Sequence, residues 1–276
     1  MSNAPAMPAS SLPWVVDSHC HLDFEMIQNN LPAVLARAEA ARVGLMLSIS
    51  SRIRAGDNLR RIADENPNVY CTIGTHPHNA HEELDMPVTE LVRLTQHAKT
   101  VGIGEAGLDY HYNLSPREAQ MQGFRNHIAA ARESGLPLVI HTREAEDDTA
   151  RVLEEEMARG PFKAVLHCFT SQDWLAQKGV ELGLYVSFSG ILTYKSAQNL
   201  RDVAAQLPVE RILVETDSPY LAPVPHRGKD NEPAFVVRTL EHLAAARNTD
   251  VAVMARQTAD NFFRLFDKVP RPARFA

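Results

Sequence analysis

Cysteine is scarce in this chain. Cys20, Cys71 and Cys168 are the only three in 276 residues, an odd number with no CxxC spacing. That excludes a disulfide framework and a cysteine-rich zinc site, and it fits reduced thiols in a cytoplasmic protein. Long apolar runs are missing too: nothing approaches the roughly 18 uninterrupted apolar residues of a membrane span. Basic residues are outnumbered, with 28 Lys and Arg against 34 Asp and Glu and a net charge of −6. This argues against a broad basic surface that holds duplex DNA by neutralising many phosphates, though not against a small positive pocket. No GxSxG occurs, so a serine nucleophile has no local support. The first 13 residues, rich in Ala, Ser and Pro, lack the basic start and apolar core of a signal peptide and are read as a loose tail.

What is present is a steady alternation of short apolar runs and longer amphipathic stretches. Strands are expected near 14–19, 43–49, 69–74, 100–105, 137–141, 163–167, 184–189 and 212–217. Helices are expected over 31–42, 57–66, 87–98, 116–134, 144–159, 171–182, 196–206, 232–247 and 250–266. Ser115-Pro116 with Glu118 reads as a capping box opening one helix, and Gly135 as its stop. Eight strands alternating with helices point to a single (β/α)8 TIM barrel over 14–268, with 269–276 as a C-terminal tail. The competing architecture is an open doubly wound sheet, which would leave the first and last strand ends far apart.

Those strand ends carry the chemistry. Five runs finish on histidine or a carboxylate: VVDSHCH at 15–21, IGE at 103–105, LVIH at 138–141, AVLH at 164–167 and ILVETD at 212–217. A barrel gathers all five around one mouth. His19 and His21, two apart on a strand, face the same way and suit one metal. Glu105 can bridge two metals with its two oxygens. His141 and His167 end adjacent strands beside it, and Asp217 returns next to the first strand on closure. Four imidazoles and two carboxylates thus suggest two divalent ions, Zn, Mn, Mg, Fe or Ni, with the imidazoles favouring the softer ones. Glu215, one layer deeper than Asp217, is expected to orient a ligand or hold an extra cation, and Asp17 to play a structural part. Two such ions lower the pKa of bound water to about 7 and leave a locally positive mouth that attracts anions. Cationic groups gather on the same face: His76 and His78, Arg143, and His226, Arg227 and Lys229 in the loop from Pro219 to Pro233. His76, Arg227 and Arg143 are the expected substrate contacts, with Arg227 gripping a phosphate. Tyr110, Tyr112 and Tyr194 are candidates for stacking bases. Gly102 to Gly107 spells GxGxxG, but no helix begins inside it and Glu105 would repel a pyrophosphate, so nicotinamide dinucleotide binding is rejected.

Taken together, the segments DSHCHLDF, IGTHPH, GIGEAGLDYH, VIHTREA, LHCFT and ETDSPYLAPVPHRGKDNEP resemble the TatD-type metal-dependent DNase family, from about residue 14 to 266. The resemblance implies an amidohydrolase-like barrel and phosphodiester hydrolysis on DNA, often from a 3′ end, with RNA for some members. By motif it assigns His19, His21, Glu105 and Asp217 to a first metal and Glu105, His141 and His167 to a second. It gives His76 and Arg227 the substrate phosphate.

The expected activity is therefore nucleolytic attack by metal-activated hydroxide, by a 3′-end exonuclease favouring single-stranded ends, with Asp217 orienting or deprotonating the water and Glu105 and His76 completing the catalytic group. DNA or oligonucleotide ends are the expected partner, and a monomer the expected assembly. One alternative is a carbonyl ester or amide hydrolase, such as a D-aminoacyl-tRNA deacylase, which the same ions would serve. A non-enzymatic alternative is a metal-stabilised nucleic-acid-binding protein.

Overall fold

A strand covered on both faces must be apolar throughout, and the eight apolar runs become eight parallel strands. They are β1 (Val15–Cys20), β2 (Val43–Ser48), β3 (Val69–Ile73), β4 (Thr100–Asp109), β5 (Leu138–Arg143), β6 (Ala164–Leu166), β7 (Tyr185–Phe188) and β8 (Ile212–Val214). The structure is a computed structural model and describes residues 12–276. Each strand pairs with the next, in the order β1 to β8. The circle closes just beyond β8. There the Asp217 N–H donates to the His19 carbonyl at 2.9 Å and the His21 N–H to the Ser218 carbonyl at 2.8 Å. This is the expected (β/α)8 TIM barrel, and the open sheet is excluded.

The helices are α1 (Glu25–Gln28), α2 (Leu31–Ala40), α3 (Gly56–Glu65), α4 (Val88–Leu94), α5 (Arg117–Ser134), α6 (Glu146–Arg159), α7 (Asp173–Glu181), α8 (Gln198–Gln206), α9 (Val236–Ala246) and α10 (Val251–Leu265). None among the described residues is long and apolar enough to cross a membrane. Alternation along the strands divides the core into two layers. Val16, Leu47, Val101, Val139, Val165 and Leu213 pack together inside the barrel. Their neighbours Val15, Met46, Ile140, Leu166 and Val214 pack outward with helical residues such as Leu59, Phe124, Leu153 and Leu240.

The inner layer continues into Phe262 of α10 and Phe266 just past its end. Each buried phenylalanine contributes about 1.5–3 kcal/mol. The α10 end lies beneath the amino ends of the strands, where Lys268 Nζ donates to the carbonyls of Thr95, His97 and Thr100 at 2.7, 2.8 and 2.8 Å. Among the described residues these groups plug that end of the barrel, and the cleft lies at the carboxyl ends.

Two segments read as tails meet the core. Of the span 1–13, residues 1–11 lie outside the described residues, while Leu12 is buried in the outer cluster. In 269–276, Val269 and Phe275 are buried in the inner cluster. The expected cap of α5 also takes another form. Pro116 occupies the cap position with no side-chain cap bond. The Ser115 hydroxyl instead donates to the His78 carbonyl at 2.9 Å and accepts the His81 N–H at 3.2 Å, tying down the loop that carries His76 and His78. Gly135 does end the helix, in the left-handed conformation at φ 73°.

Candidate metal centre

The close approach of β3 to β4 sets the position of the central carboxylate. A Cβ on Gly74 would lie 2.4 Å from the Gly104 Cα, so only glycine lets the two chains meet there. Glu105 follows directly, its N–H held by the Ser50 carbonyl at 3.0 Å. Gly107 does the same toward β5: at φ 150°, its Cβ would fall 1.9 Å from the His141 carbonyl oxygen. These glycines let β4 run past the expected end at 105 to Asp109, pairing with β5 as far as Arg143.

Around Glu105 the six expected residues converge. His19 Nε2 lies 3.3 Å from His21 Nε2, 3.4 Å from Asp217 Oδ1 and 3.5 Å from Glu105 Oε2. His21 Nε2 is 3.5 Å from the same Asp217 oxygen. On the other side, Glu105 Oε1 lies 2.7 Å from His167 Nε2 and 2.8 Å from His141 Nδ1, which are 3.3 Å apart. The groups His19–His21–Asp217 and His19–Glu105–His167 each bring their ligand atoms within 4.8 Å of one another, and so does His76–Glu105–His141.

Hydrogen bonds behind the rings select which nitrogen faces inward. The Ile49 carbonyl, which only accepts, lies 3.1 Å from His21 Nδ1, so the proton sits there and Nε2 keeps its lone pair. Asp109 Oδ2 takes His141 Nε2 at 3.1 Å, which leaves His141 Nδ1 for the centre. Glu215 is buried behind His167. Its Oε1 accepts the Cys168 N–H at 2.6 Å and lies 3.3 Å from His167 Nδ1, off the hydrogen-bond line. His19 Nδ1 is buried without a partner, its ring stacked on His167 at 4.0 Å. His76 differs from the rest. Its Nδ1 accepts the His78 N–H at 3.1 Å, so in the neutral ring Nε2 bears the proton and points at Glu105 Oε1, 3.4 Å away. That makes His76 a donor into the site and a poor ligand.

Asp17 has the structural place expected of it. Its carboxylate accepts the Thr216 N–H at 2.9 Å and the Thr216 hydroxyl at 2.6 Å, locking β1 to the β8 turn. Burial pushes its pKa up to about 8.

Electrostatics follow from enclosure. Burial alone would raise the Glu105 pKa, but His167, His76 and His141 hold it well below the usual carboxylate range. Asp217 is likewise lowered against its burial, by His21, His19 and His167. Burial opposes charge on His167, His141 and His21, yet each is raised. Glu105 and Glu215 outweigh it for His167, Asp109 and Glu105 for His141, and Asp217 and Glu105 for His21. His19 is lowered by burial and by His167, and His76 is lowered by burial to about 4. The cluster therefore demands positive charge between its carboxylates. One ring proton on His19 Nε2 cannot serve three acceptors more than 3.2 Å away, whereas a divalent cation among them can. The donor set, imidazole nitrogens plus carboxylates, fits such ions.

The site opens into a cleft of about 870 Å³ at the carboxyl ends of the strands. Arg143 and His78 line it; Arg227 does not. Arg227 is exposed, its guanidinium 4.4 Å over the Tyr194 ring. Of the three tyrosines expected to stack bases, only Tyr112 lines the cleft. Tyr110 hydrogen-bonds Asp148 at 2.7 Å, and Tyr194 donates to the Ala222 carbonyl at 3.0 Å. Asp109 escaped the sequence reading although GLDYH contains it. Its signal was an acidic residue four beyond Glu105, detectable only if β4 is known to continue.

A family model described as TatD related DNase matches residues 16–267. The chain is 43% identical over 256 residues to the uncharacterized metal-dependent hydrolase YcfH of Escherichia coli K12, covering 92% of this chain and 96% of that one. It is 35% identical over 240 residues, 84% of this chain and 92% of the other, to the 3′-5′ ssDNA/RNA exonuclease TatD of Pantoea ananatis. Among solved structures, the TatD homolog YJJV of Escherichia coli K12 superposes with a TM-score of 0.86 at 28% identity, over 93% of this chain and 98% of that one.

Proposed function

Because the chain belongs to the TatD-related DNase family and is a metal-dependent hydrolase of that family, we propose that it hydrolyses phosphodiester bonds at single-stranded 3′ ends of DNA. The observation that carries this reading is the placement of Glu105. Its Oε2 faces His19 and its Oε1 faces His141 and His167, at the floor of a cleft large enough for a nucleotide strand. The relative named as a 3′-5′ ssDNA/RNA exonuclease supports it.

His19, His21, Glu105 and Asp217 would hold one divalent ion, and Glu105, His141 and His167 a second. Such ions supply Lewis acidity toward phosphoryl oxygens and make a water acidic enough to act as nucleophile near neutral pH. The protein's own groups do the rest. Asp217, the more accessible of the two carboxylates with 15% of its side chain exposed against 2% for Glu105, orients the attacking water and accepts its proton on a carboxylate oxygen. His76 donates its Nε2 proton in a hydrogen bond to a phosphoryl oxygen as negative charge accumulates there. Asp109 and Glu215 keep His141 and His167 aimed inward. Arg143 meets a substrate phosphate in the cleft, and Arg227, outside it, one further along the strand.

A labelled oligonucleotide with a single-stranded 3′ end, incubated with Zn, Mn, Mg, Fe or Ni, should lose nucleotides stepwise from that end. Asp217→Asn should stop this while keeping the fold. A D-aminoacyl-tRNA assayed alongside should remain acylated. Deacylation without nuclease activity would replace the phosphodiester reading, and tight oligonucleotide binding without product would replace the enzymatic one.

A further inference from the structure

Soluble proteins expose few large aromatic rings without a use for them. Of the eight large hydrophobic side chains exposed among the described residues, two line the cleft: Tyr112, 54% exposed, and Tyr220, 51% exposed. Neither stands alone. Tyr220 meets Phe24 edge to face at 6.1 Å, and Phe24 in turn stacks on the imidazole of His21 at 4.5 Å and 18°. Tyr112 carries the Arg143 guanidinium 4.7 Å over its ring and packs edge-on against His78 at 5.5 Å. Phe24 and Tyr220 follow β1 and β8, while Tyr112 and Arg143 belong to the ends of β4 and β5. In an eight-stranded barrel of this order, those pairs of strands are diametrically opposed. The two platforms therefore stand on opposite walls with the metal centre between them. Each is joined to that centre through one ring: Phe24 through His21, and Tyr112 through His78, which shares Asp109 with His141.

We propose that Phe24–Tyr220 and Tyr112–Arg143 are two nucleobase-stacking subsites, one for each nucleotide flanking the scissile phosphate. The proposal rests on the phosphodiester reading and narrows its substrate. A phosphate above the metal ligands with its neighbouring bases drawn to opposite walls is a splayed dinucleotide unit, which paired duplex cannot adopt without melting. Every base has a π face, so the subsites are sequence-tolerant and select unpaired strands by shape and stacking. The platforms are held in advance by His21, His78 and Arg143, so little side-chain freedom is lost when a base arrives. Tyr220 is fixed from behind too, its N–H on the Asp217 carbonyl at 3.0 Å and its carbonyl on Asn231 Nδ2 at 2.6 Å.

The experiment compares two single-stranded oligonucleotides, one intact and one with abasic residues at both terminal positions of its 3′ end. The full-length enzyme should favour the intact strand in kcat/KM by about 10- to 100-fold. In Phe24→Ala, Tyr220→Leu and Tyr112→Leu that ratio should fall toward unity, and Tyr112→Phe should restore it. The leucine variants keep apolar volume and remove only the π face. In parallel, metal-free protein is titrated with the same strand carrying 2-aminopurine at the 3′ terminus, whose fluorescence is quenched by stacking. Quenching by the native chain that is lost in the leucine variants supports the subsites even if no strand is cleaved, in which case only the phosphodiester reading fails. A wild-type enzyme indifferent to the abasic substitution, or variants that quench like the native chain, would overturn the proposal.

Discussion

The carboxylate of Asp109 is shared by two rings, with Oδ2 3.1 Å from His141 Nε2 and 2.9 Å from His78 Nε2. Its other oxygen accepts the Tyr112 N–H at 2.8 Å. A buried carboxylate held from three sides is a rigid backstop, and it fixes both the tautomer and the angle of His141. Asp109→Ala should weaken binding of the ion proposed for Glu105, His141 and His167 by about 10- to 100-fold. Asp109→Asn, which keeps an acceptor, should fall between. Competitive titration with a chromophoric chelator measures this directly, and unchanged affinity in the alanine variant would show that His141 needs no backstop.

Glu105 faces both halves of the centre, so its loss cannot be local. Glu105→Ala leaves His19, His141 and His167 crowded together without their shared anion. Bound divalent metal, counted by mass spectrometry after dialysis, should fall from the two ions per chain proposed for the native protein to one or none. Turnover should drop by roughly 10³-fold or more. Cleavage that persists and still depends on cations would remove Glu105 from the role given to it.

Gly107 tests the same centre through the backbone. A methyl there collides with the His141 carbonyl oxygen, at a φ of 150° that side chains avoid. Gly107→Ala should push β5 from β4 and drag His141 out of line. The expected result is a melting temperature lower by several degrees, from a cost of about 1–3 kcal/mol, together with weakened metal uptake. A variant that melts with the native chain would mean that the strands yield more easily than their pairing suggests.

Why so much of this was legible, and where legibility stopped, follows from which interactions are periodic. Strands buried on both faces are continuous apolar runs, so Val69–Ile73 or Tyr185–Phe188 stand out by composition alone. His19 and His21 share a face through the period of two, and the polar endings His141, His167 and Asp217 are conspicuous after apolar residues. Asp109 lay hidden because its partners His78 and His141 are 31 and 32 residues away, and nothing local marks such a meeting. The glycines of β4 spell GxGxxG in sequence, yet each serves a close contact with a neighbouring strand or its flank. Ser115 sits before a proline like a helix cap, but a hydroxyl goes to whichever unsatisfied backbone group is nearest in space, here that of the His78 loop. The loop from Pro219 to Pro233 has no period at all, so neither the stacking of Arg227 on Tyr194 nor the exposure of Tyr220 could be foreseen.

His127 links stability to pH away from the metal ligands. It is buried on α5, accepting the Thr75 N–H on Nε2 at 2.9 Å and donating from Nδ1 to the Gly123 carbonyl at 2.7 Å. The bond from Thr75 requires the neutral ring, and burial lowers the pKa against the opposite pull of the Gly123 carbonyl. The unfolded chain protonates this histidine near pH ~6.5 while the folded one resists, so acid favours unfolding. The contribution is whole above that pH and is lost below it, by up to about 1.4 kcal/mol per pH unit until the folded pKa is reached. Urea denaturation of metal-loaded protein between about pH 7.5 and 5.5 should show His127→Gln with a shallower fall in stability than the native chain, by as much as one proton. Parallel curves would assign the acid sensitivity elsewhere.

Arg143 and Arg227 separate by reach. Arg143 lines the cleft beside Tyr112, whereas Arg227 lies outside the lining over Tyr194. A phosphate next to the scissile one passes Arg143 whatever the length of the strand, but only a longer strand extends to Arg227. Each lost cation–phosphate contact to a single strand lowers the slope of log affinity against log salt by about 0.7. Arg143→Ala should show that loss for a 5′-phosphorylated dinucleotide and for a long oligonucleotide alike. Arg227→Ala should show it for the long strand and leave the dinucleotide untouched. The comparison needs only KM at several salt concentrations. Equal effects of Arg227→Ala on both lengths would bring that arginine into the cleft after all, requiring the β8 loop to fold inward when substrate binds.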